Sequence, residues 1–461
     1  RPWGPVNEPG RGAMKLHQAF DIARGDVVSF IGAGGKSSAL FNLGYELAEM
    51  GWRVTATTTT HIGLDQLELM PYAVTPREGA GALAMALDEF RFTFVYDEIR
   101  SERVFGPPLS YIPQMLDRVP SDVLLIEADG ARGLPLKAPY ADEPVIPPET
   151  SLVVPVASLA VLGQELDDEH VYNAQAIIDR YGFVEGQRVK SPWVAQVMRD
   201  ETLGLARVPE NTRVIALLNQ VSEGYLRGRA RLIARLILRS NRVNGVAIGS
   251  VRASDPVLEV QRPVAAVVLA AGMSRRMGQP KVLLPWTRKM TIIEHIIMQL
   301  ILARVHHIVV VTGNRAGEVR RMASRLGTEV VHNPDFERGE MLSSLKVGLA
   351  ALPPHIAGAL VVLGDQPRIQ PKTISQVTMA YAEGRGQIVA PTYQNQRGHP
   401  ILIDRRFWPE IMALPAEGAP RDVIKQHPDS TALVEVQTDS VLGDVDTPDD
   451  YDQERRLAGL S

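Results

Sequence analysis

Two glycine-rich stretches decide how this 461-residue sequence folds. The first is SFIGAGGKSSALF at residues 29–41, and the second is AAVVLAAGMSRRMGQPK at residues 265–281. Each begins as a short apolar strand, turns at small residues and continues with basic or hydroxylated residues. Because glycine permits tight turns and leaves backbone N–H groups accessible, both stretches are typical of loops that hold phosphate groups. The second stretch taken alone fits a surface helix after a buried strand equally well.

Apolar strands alternate with helical periods along the whole chain. Runs such as DVLLIEADG at 122–130 and RVIALLNQ at 213–220 are almost continuously apolar and end in polar residues. Such strands belong to buried parallel sheets, whose polar carboxyl ends form the ligand-binding edge. The alternation lapses at 250–263, where two prolines stand. We therefore predict two three-layer α/β domains, at 14–250 and 262–461, with a linker at 251–261. Residues 1–13 are expected to be a disordered or added tail before a natural start at Met14.

Composition excludes several classes of function. The formal net charge of −4 argues against nucleic-acid binding and membrane-surface binding, which require an excess of basic residues. The chain has no cysteine, which excludes disulfides, thiolate metal sites and cysteine nucleophiles. No apolar run approaches the ~20 residues of a membrane span. These features predict a cytoplasmic protein with small-molecule partners.

The second glycine stretch is followed by two acidic turns. The sequence VVLGDQP places Asp365 at the end of an apolar strand, and GDVDTPDDY places Asp446 in a second turn, with Asp444 as a close competitor. Carboxylates at a sheet edge are suitable ligands for Mg²⁺. Together with Arg276 and Lys281 in the glycine stretch, they predict a site for a metal-bound triphosphate.

These motifs resemble those of a known enzyme family. LAAGMSRRMGQPK is similar to the signature of the MobA-like nucleotidyltransferases, and GDQP, RGHP at 397–400 and DVDTPDD resemble the motifs of their molybdenum cofactor cytidylyltransferase branch. The resemblance covers about 262–455 and implies a Rossmann-like nucleotidyltransferase domain. It implies that the phosphate of molybdopterin attacks the α-phosphorus of CTP, giving molybdopterin cytosine dinucleotide and pyrophosphate.

The resemblance also implies roles for individual residues. Arg276 and Lys281 would stabilise the leaving pyrophosphate, and Asp365 and Asp446 would hold Mg²⁺. Residues implied to contact the nucleotide are Leu269, Ala270, Ala271, Gly272, Thr312, Gly313, Ser343 and Ser344. Residues implied to face the pterin phosphate are Arg397, Gly398 and His399. His399 fits a purely local hydrogen-bonding role equally well.

The first glycine stretch is similar to a phosphate-binding P-loop but departs from G-x-x-x-x-G-K-[ST], since Phe30 replaces the first glycine. A dinucleotide turn is the alternative, but TATTTTH stands where an acidic residue would follow the second strand, which disfavours NAD. Asn219 ends a strand at the place where a guanine-binding motif would begin. The lysine and aspartate that would follow the asparagine in such a motif are absent from the sequence there. The predicted nucleotide-binding residues of this P-loop-like domain are Gly32, Gly34, Gly35, Lys36, Ser37, Thr58, Glu127, Asp129 and Asn219.

Residues 14–250 resemble the YqeC family through GAGGKSS, TTTTH, EADGARGLPLKAP and LNQV, in that order. The family is associated with selenium-dependent molybdenum hydroxylases. The resemblance implies an accessory role, with ATP and GTP both as candidate ligands and an apo molybdenum hydroxylase as the recipient of the cofactor. Two alternatives stay open for the whole protein. One is a guanylyl- or sugar/alditol-phosphate nucleotidyltransferase, and the other is a non-catalytic chaperone of the cofactor.

Overall fold

The structure is a computed structural model, and it describes residues 14–274, 277–337 and 341–460. The predictions for residues 1–13 and for Arg276 lie outside the described residues. The chain divides into two compact units, Arg1–Gln261 and Arg262–Ser461. Within the described ranges, no helix has the length and apolar character needed to cross a bilayer.

The first unit is built on a nine-stranded sheet. The strands of this unit are β1 (Val27–Gly32), β2 (Val54–Thr58), β3 (His61–Gly63), β4 (Ala73–Val74), β5 (Phe92–Val95), β6 (Glu98–Arg100), β7 (Arg103–Phe105), β8 (Val123–Glu127), β9 (Leu136–Lys137), β10 (Leu152–Ser158), β11 (Val171–Tyr172), β12 (Arg213–Asn219), β13 (Gly245–Gly249) and β14 (Val257–Gln261). Its α-helices are α1 (Leu16–Ala19), α2 (Lys36–Glu49), α3 (Leu64–Leu67), α4 (Gly79–Phe90), α5 (Tyr111–Arg118), α6 (Ala174–Tyr181), α7 (Ser191–Arg199) and α8 (Tyr225–Ile237).

The order of the large sheet is β14-β13-β12-β10-β1-β8-β2-β5-β4, and every pair except β13 with β14 is parallel. Successive side chains of β1 enter opposite cores, because side chains of a strand alternate between the faces of a sheet. Phe30 packs in the cluster that contains Leu40 of α2, whereas Ile31 packs with Leu87 of α4. Helices therefore cover both faces, which gives the three layers.

The segment predicted as a linker contributes a strand to this sheet. Residues of β14 pair antiparallel with β13, and Val257 and Val260 are buried in the first hydrophobic core. Glu259, between them, is buried as well and is bound by Arg227 and Arg231 of α8. The prediction of a linker over 251–261 was therefore wrong for the residues of β14. The periodicity lapses there because the chain reverses direction and adds an antiparallel strand to the same sheet.

The second unit contains a mixed sheet with the order β17-β16-β15-β18-β21-β19-β20, to which β22 adds beside β19. Its strands are β15 (Val264–Ala270), β16 (His307–Thr312), β17 (Glu329–His332), β18 (Gly358–Leu363), β19 (Ile388–Tyr393), β20 (Gln396–Arg397), β21 (Ile401–Asp404) and β22 (Thr431–Glu435). Its α-helices are α9 (Ile292–Leu302), α10 (Ala316–Ser324), α11 (Met341–Ala351), α12 (Pro371–Ala382), α13 (Trp408–Ala413), α14 (Pro420–Gln426) and α15 (Pro448–Leu457).

The central strand β15 again alternates between two cores. Val268 packs with Ile293 and Ile296 of α9, whereas Val267 packs with Leu345 of α11. The strands β15, β16 and β18 are parallel, so the loops that follow them lie at the same edge of the sheet. The predicted fold class, two domains with α/β sheets, is confirmed, and both glycine stretches follow a central strand.

Candidate nucleotide sites

In the second unit, the glycine stretch leaves β15 and brings Lys281 back to the edge of the sheet. Ser274 adopts a left-handed backbone with φ of 50°, and its Oγ accepts a hydrogen bond from the Lys281 backbone N at 3.1 Å. Residues 281–283 then form a short 3₁₀ turn. The loop is thereby closed on itself, which fixes the position of the lysine.

Lys281 lies between the two aspartates predicted as metal ligands. Its Nζ is 3.1 Å from Asp365 Oδ2 and 2.5 Å from Asp446 Oδ1. Burial lowers the pKa of Lys281, but the hydrogen bond and charge of Asp446 and the charge of Asp365 outweigh it and raise that pKa. The lysine is therefore protonated at neutral pH, and it neutralises part of the acidic charge of the cluster.

A hydrogen-bond network connects the two acidic turns. Val445 N donates to Asp365 O at 2.9 Å, and Gln366 Nε2 donates to Asp444 Oδ1 at 2.7 Å. Burial and the charges of Asp365 and Asp446 raise the pKa of Asp444, although the bond from Gln366 opposes this. Asp444, the competitor considered for the metal, is therefore bound by Gln366, whereas Asp446 points to Lys281.

The turn at Asp446 is supported from beneath by a buried ion pair. Arg368 donates to Asp439 and, through two nitrogens, to Glu454 of α15. The carboxylate of Glu454 packs against Gly443, where a Cβ would lie 2.6 Å from Glu454 Oε2. Neither Arg368 nor Glu454 was predicted, because nothing near them in the sequence suggests a role.

The donor set suits a hard divalent cation only in part. Asp365 and Asp446 offer carboxylate oxygens to one point, as Mg²⁺ requires, and phosphate oxygens or water would complete its octahedron. Among the described residues, no group of three histidine, aspartate or glutamate side chains forms a cluster able to hold a metal. The two aspartates therefore fit a metal that arrives with a phosphate ligand.

Of the positions predicted to contact the nucleotide, residues 269–271 and 312–313 lie at the adjacent ends of β15 and β16. Ala270 pairs with Thr312, and a Cβ on Gly313 would lie 2.5 Å from Ala271 O, so only glycine permits this approach. The Thr312 hydroxyl donates to Val331 O of β17. Leu269 O accepts a hydrogen bond from Gly364 N, which joins the end of β15 to the turn that carries Asp365.

Ser343 and Ser344, at the start of α11, share a partner that was not predicted. The buried amide of Asn333 donates through Nδ2 to both hydroxyls, at 2.9 and 3.0 Å. Asn333 N donates to Thr312 O at 2.8 Å. Asn333 thus links the end of β16 to the helix that carries the two serines.

Two of the three residues predicted for the pterin side, Arg397 and His399, line a separate pocket of about 340 Å³. Arg397 and His399 share it with Arg421 and with a wall of apolar side chains that includes Leu342 and Ile424. Burial, with the charge of Arg397, lowers the pKa of His399 to about 4. His399 is therefore a neutral imidazole at physiological pH. Gly398 lies against Val441, and Arg421 was not predicted from the sequence.

In the first unit, the glycine loop between β1 and α2 brings Lys36 and Ser37 onto two acidic residues. Gly34 and Gly35 have φ of 81° and 129°, values that only glycine adopts readily. Lys36 Nζ lies 3.2 Å from Asp129 Oδ1 and 3.8 Å from Glu127 Oε1, and Ser37 Oγ donates to Glu127 Oε2 at 2.7 Å. The predicted lysine, hydroxyl and acid pair therefore form one cluster.

Other predicted residues support this cluster from below. The backbone N of Gly32 donates to Asp129 Oδ2, and the Thr58 hydroxyl donates to Glu127 O. Asn219 Nδ2 donates to Gly34 O, while Asn219 Oδ1 accepts a bond from Val251 N. The hydroxyl of Thr58 is buried and does not face the cleft, where Thr60 is found instead.

Lys137 is a buried member of the cluster that was not predicted. Its Nζ is 3.3 Å from Asp129 Oδ2 and 2.7 Å from Glu143 Oε2. Burial opposes the charged form of Lys36, but the charges of Asp129 and Glu127 raise its pKa, while burial raises the pKa of Glu127. A lysine inside GLPLKAP follows no pattern that would reveal these contacts.

The cluster forms the floor of a cleft of about 830 Å³, a size typical of ligand sites. The sheet order places the glycine loop between two groups of strand ends, those of β8 and β2 on one side and those of β12 and β13 on the other. Asn219, Gln220 and Ser250 line the second side. The lining of the cleft therefore extends from the glycine loop to the strand ends on both sides of it.

Comparisons with known proteins divide the chain in the same way. Residues 28–175 match the model of the YqeC protein family, and residues 266–431 match that of the MobA-like NTP transferase domain. The uncharacterized protein YqeC of Escherichia coli K12 is 32% identical over 205 residues, which is 43% of this chain and 78% of that protein.

Two further relatives each match about two fifths of the chain. The molybdenum cofactor cytidylyltransferase of Escherichia coli K12 is 29% identical over 186 residues, covering 40% of this chain and 92% of that protein. The nicotine blue oxidoreductase of Paenarthrobacter nicotinovorans is 32% identical over 195 residues, again 40% of this chain and 92% of the relative. Proteins similar to parts of this chain thus have names from more than one reaction class.

Proposed function

Because the chain belongs to the YqeC family in its N-terminal half and to the MobA-like NTP transferases in its C-terminal half, we propose that it matures a molybdenum cofactor. The C-terminal half is a nucleotidyltransferase domain. We assign it the transfer of CMP from CTP to the phosphate of molybdopterin, and we assign the N-terminal half an accessory role in which it binds a nucleotide. The finished cofactor would pass to an apo molybdenum hydroxylase.

The observation that carries the transfer reaction is the meeting of Lys281, Asp365 and Asp446 beside the glycine loop. A phosphate nucleophile is already anionic at neutral pH, so the reaction needs alignment and charge neutralisation and no general base. A phosphate oxygen of molybdopterin forms a bond to the α-phosphorus while the bond to the β-phosphate breaks. Pyrophosphate leaves with the electron pair.

Different residues of the chain would align the substrates and neutralise their charge. Lys281 provides a fixed positive charge for the phosphates, and Asp365 and Asp446 would hold Mg²⁺, which neutralises phosphate charge when it is bound. The Arg397–His399 segment and Arg421 offer two guanidinium groups and a neutral imidazole beside an apolar wall. Such a pocket suits a flat heterocycle that carries a phosphate, as the acceptor does.

The proposal also specifies CTP as the nucleotide substrate. It is tested by the release of pyrophosphate from each of the four ribonucleoside triphosphates, with molybdopterin and the full-length chain. We expect release with CTP. Release with GTP and none with CTP would assign the protein to guanylyl transfer. Tight binding of the finished cofactor without any release of pyrophosphate would instead support a chaperone.

A further inference from the structure

One side of the N-terminal cleft presents two exposed arginines. Arg103 of β7 and Arg132, in the loop after β8, both line the cleft. Within the described part of the chain neither guanidinium forms an ion pair, although the exposed acids Asp65, Glu102 and Asp142 line the same cleft. A planar guanidinium without a carboxylate partner offers a fork of N–H donors that matches the oxygens of a phosphate group.

A small three-stranded sheet directs Arg103 and His61 to the cleft. Its order is β3-β7-β6, and β3 pairs antiparallel with β7, with Ile62 opposite Val104. Ile62 and Val104 are buried in the first hydrophobic core. Because side chains alternate between the faces of a strand, the neighbouring residues His61 and Arg103 share the other face. Both of them line the cleft.

His61 adds a neutral imidazole to this face. Burial and the charge of Arg103 lower the pKa of His61, an effect that the charge of Glu143 opposes. Glu143 is itself bound by Lys137, whose Nζ is 2.7 Å from Glu143 Oε2. A neutral imidazole has one N–H donor and one acceptor, so it can donate a hydrogen bond to a phosphate oxygen.

Arg132 is held in place by an aromatic ring. Its backbone is left-handed, with φ of 49°, a conformation that costs a residue with a side chain about 1–2 kcal/mol. Its guanidinium carbon lies 5.6 Å from the centre of the Tyr172 ring, which Lys137 Nζ also approaches to 4.6 Å. Tyr172 lines the cleft, so the stacked guanidinium stays at the cleft wall. Arg103, His61 and Arg132 together form the arginine face of the cleft.

The arginine face is separate from the lysine of the glycine loop. The Lys36 side chain is only 4% exposed and pairs with Asp129. The strands β2, which precedes His61, and β8, which precedes Arg132, lie on one side of β1, whereas Arg252 follows β13 on the other side. The whole cleft measures about 830 Å³. Ligand pockets span about 300–1,000 Å³, so this volume leaves space for a ligand beside one on the loop.

The acceptor pocket proposed for the C-terminal unit contains the same set of groups. Arg397 and Arg421 line it together with His399. Burial and the charge of Arg397 lower the pKa of His399 to about 4. In each unit, then, two guanidinium groups and a neutral imidazole line a cavity away from the lysine of the glycine loop. The same groups favour the same class of ligand.

We propose that Arg103, Arg132 and His61 form a second subsite of the N-terminal cleft, which takes a small phosphate monoester beside the nucleotide. The two guanidinium groups bind the phosphate dianion, and the imidazole donates to one of its oxygens. The N-terminal half therefore holds two ligands at once. This inference deepens the accessory role proposed above and rests on it for the presence of the nucleotide.

The test uses 4-methylumbelliferyl phosphate, a flat heterocyclic phosphate monoester, as the probe. The parent is full-length protein carrying R397M and R421M, which removes the guanidinium groups of the C-terminal pocket. Equilibrium dialysis should show one bound equivalent. Arg103→Met and Arg132→Met should each weaken binding at least about tenfold, because each removes charge-assisted hydrogen bonds to the phosphate. No bound probe at up to about 1 mM would overturn the subsite.

Matched controls separate the arginine face from the rest of the cleft. Arg252→Met, on the β13 side, should leave the affinity within about twofold of the parent. Arg132→Lys keeps the charge without the fork and should recover part of the loss. The probe without its phosphate, 4-methylumbelliferone, should not bind. An equal loss in Arg252→Met, or equal binding of the two compounds, would overturn the assignment. Circular dichroism checks that each variant is folded.

A competition experiment separates this inference from the nucleotide binding beneath it. The parent is titrated with the probe in the presence of saturating non-hydrolysable analogues of ATP and GTP, and Lys36→Met checks that an analogue occupies the N-terminal loop. Undiminished binding of the probe supports two subsites. Displacement of the probe would show that the arginines bind the phosphates of the nucleotide, and it would overturn the second subsite. Binding of the probe without any binding of nucleotide at the loop would instead overturn the nucleotide part of the proposed function.

Discussion

Lys281 Nζ lies 2.5 Å from Asp446 Oδ1, although the two residues are 165 positions apart in the chain. The contact closes the glycine loop after β15 onto the turn before α15. It joins a cation that would attract phosphate to a carboxylate that would attract metal.

Loss of the carboxylate at Asp365 should abolish nucleotidyl transfer. Asp365→Ala removes a carboxylate that would bind the metal and leaves Lys281 with one acidic partner, so we expect pyrophosphate release to fall by about 10²–10³-fold or more. Release is measured with CTP and molybdopterin. Asp452→Ala, an exposed change on α15, is the control and should leave the rate unchanged. An unaltered rate in Asp365→Ala would refute the assigned site.

Breaking the ion pair under the acidic turn should destabilise the C-terminal unit. The side chains of Arg368 and Glu454 are 12% and 7% exposed. Arg368→Met leaves Glu454 as a buried charge without its main partner, at a cost of about 3–5 kcal/mol. Urea denaturation measures the loss. The double variant with Glu454→Met should recover part of it, because no unpaired charge remains.

An exposed ion pair provides the reference for the loss of stability expected from Arg368→Met. Arg100 and Glu98 pair at the protein surface, with side chains 63% and 39% exposed. Arg100→Met should cost about 1 kcal/mol or less, since exposed ion pairs contribute little. A loss for Arg368→Met as small as this would mean that Arg368 does not hold Glu454 in place.

A methyl group at Gly398 should distort the proposed acceptor pocket. A Cβ there would lie 2.3 Å from Val441 O, a backbone atom that cannot move alone. Gly398→Ala should therefore cost about 1–3 kcal/mol and raise the KM for molybdopterin. Gly317→Ala in α10 has open space around its Cβ and should stabilise the protein by up to about 1 kcal/mol. Calorimetry and initial rates measure both.

His399 should make stability depend on pH in a defined window. Its pKa falls from the usual 6.5 to about 4 because it is buried beside Arg397. The unfolded chain binds a proton at His399 as the pH falls below about 6.5, whereas the folded chain does not until about 4. The stability that this neutral imidazole retains at pH 7 is therefore lost progressively as the pH falls between those values.

The comparison that isolates this effect uses His399→Gln, which does not titrate. The difference in unfolding free energy between pH 7 and pH 5 should be smaller in His399→Gln than in the wild type, by up to about 2 kcal/mol. Equal pH dependence of the two proteins would show that His399 is protonated equally in both states. Because His399 stays neutral between pH 6 and pH 8, its titration should not change the rate of pyrophosphate release over that range.

Local pattern was sufficient to locate the two loops that are proposed to bind phosphate. Strand, glycine turn and basic residue are neighbours in the chain, so the sequence located both loops and the lysines Lys36 and Lys281. The acids Glu127 and Asp365 were also found, because the end of an apolar strand in a parallel sheet is a binding edge whatever lies beside it. The strand at Val257–Gln261 was missed, since one antiparallel edge strand shows no pattern of its own.

The two α/β halves, their order and the residues that could contact phosphate can all be inferred from the amino-acid sequence. Which side chains pair with one another depends on the folded chain. It placed Lys281 on aspartates 84 and 165 positions away, and it buried Lys137 between Asp129 and Glu143. The physical reason is that the sheet order and the loops set these distances. The sequence gives the charge of each side chain, but the fold determines which neighbouring side chain neutralises that charge.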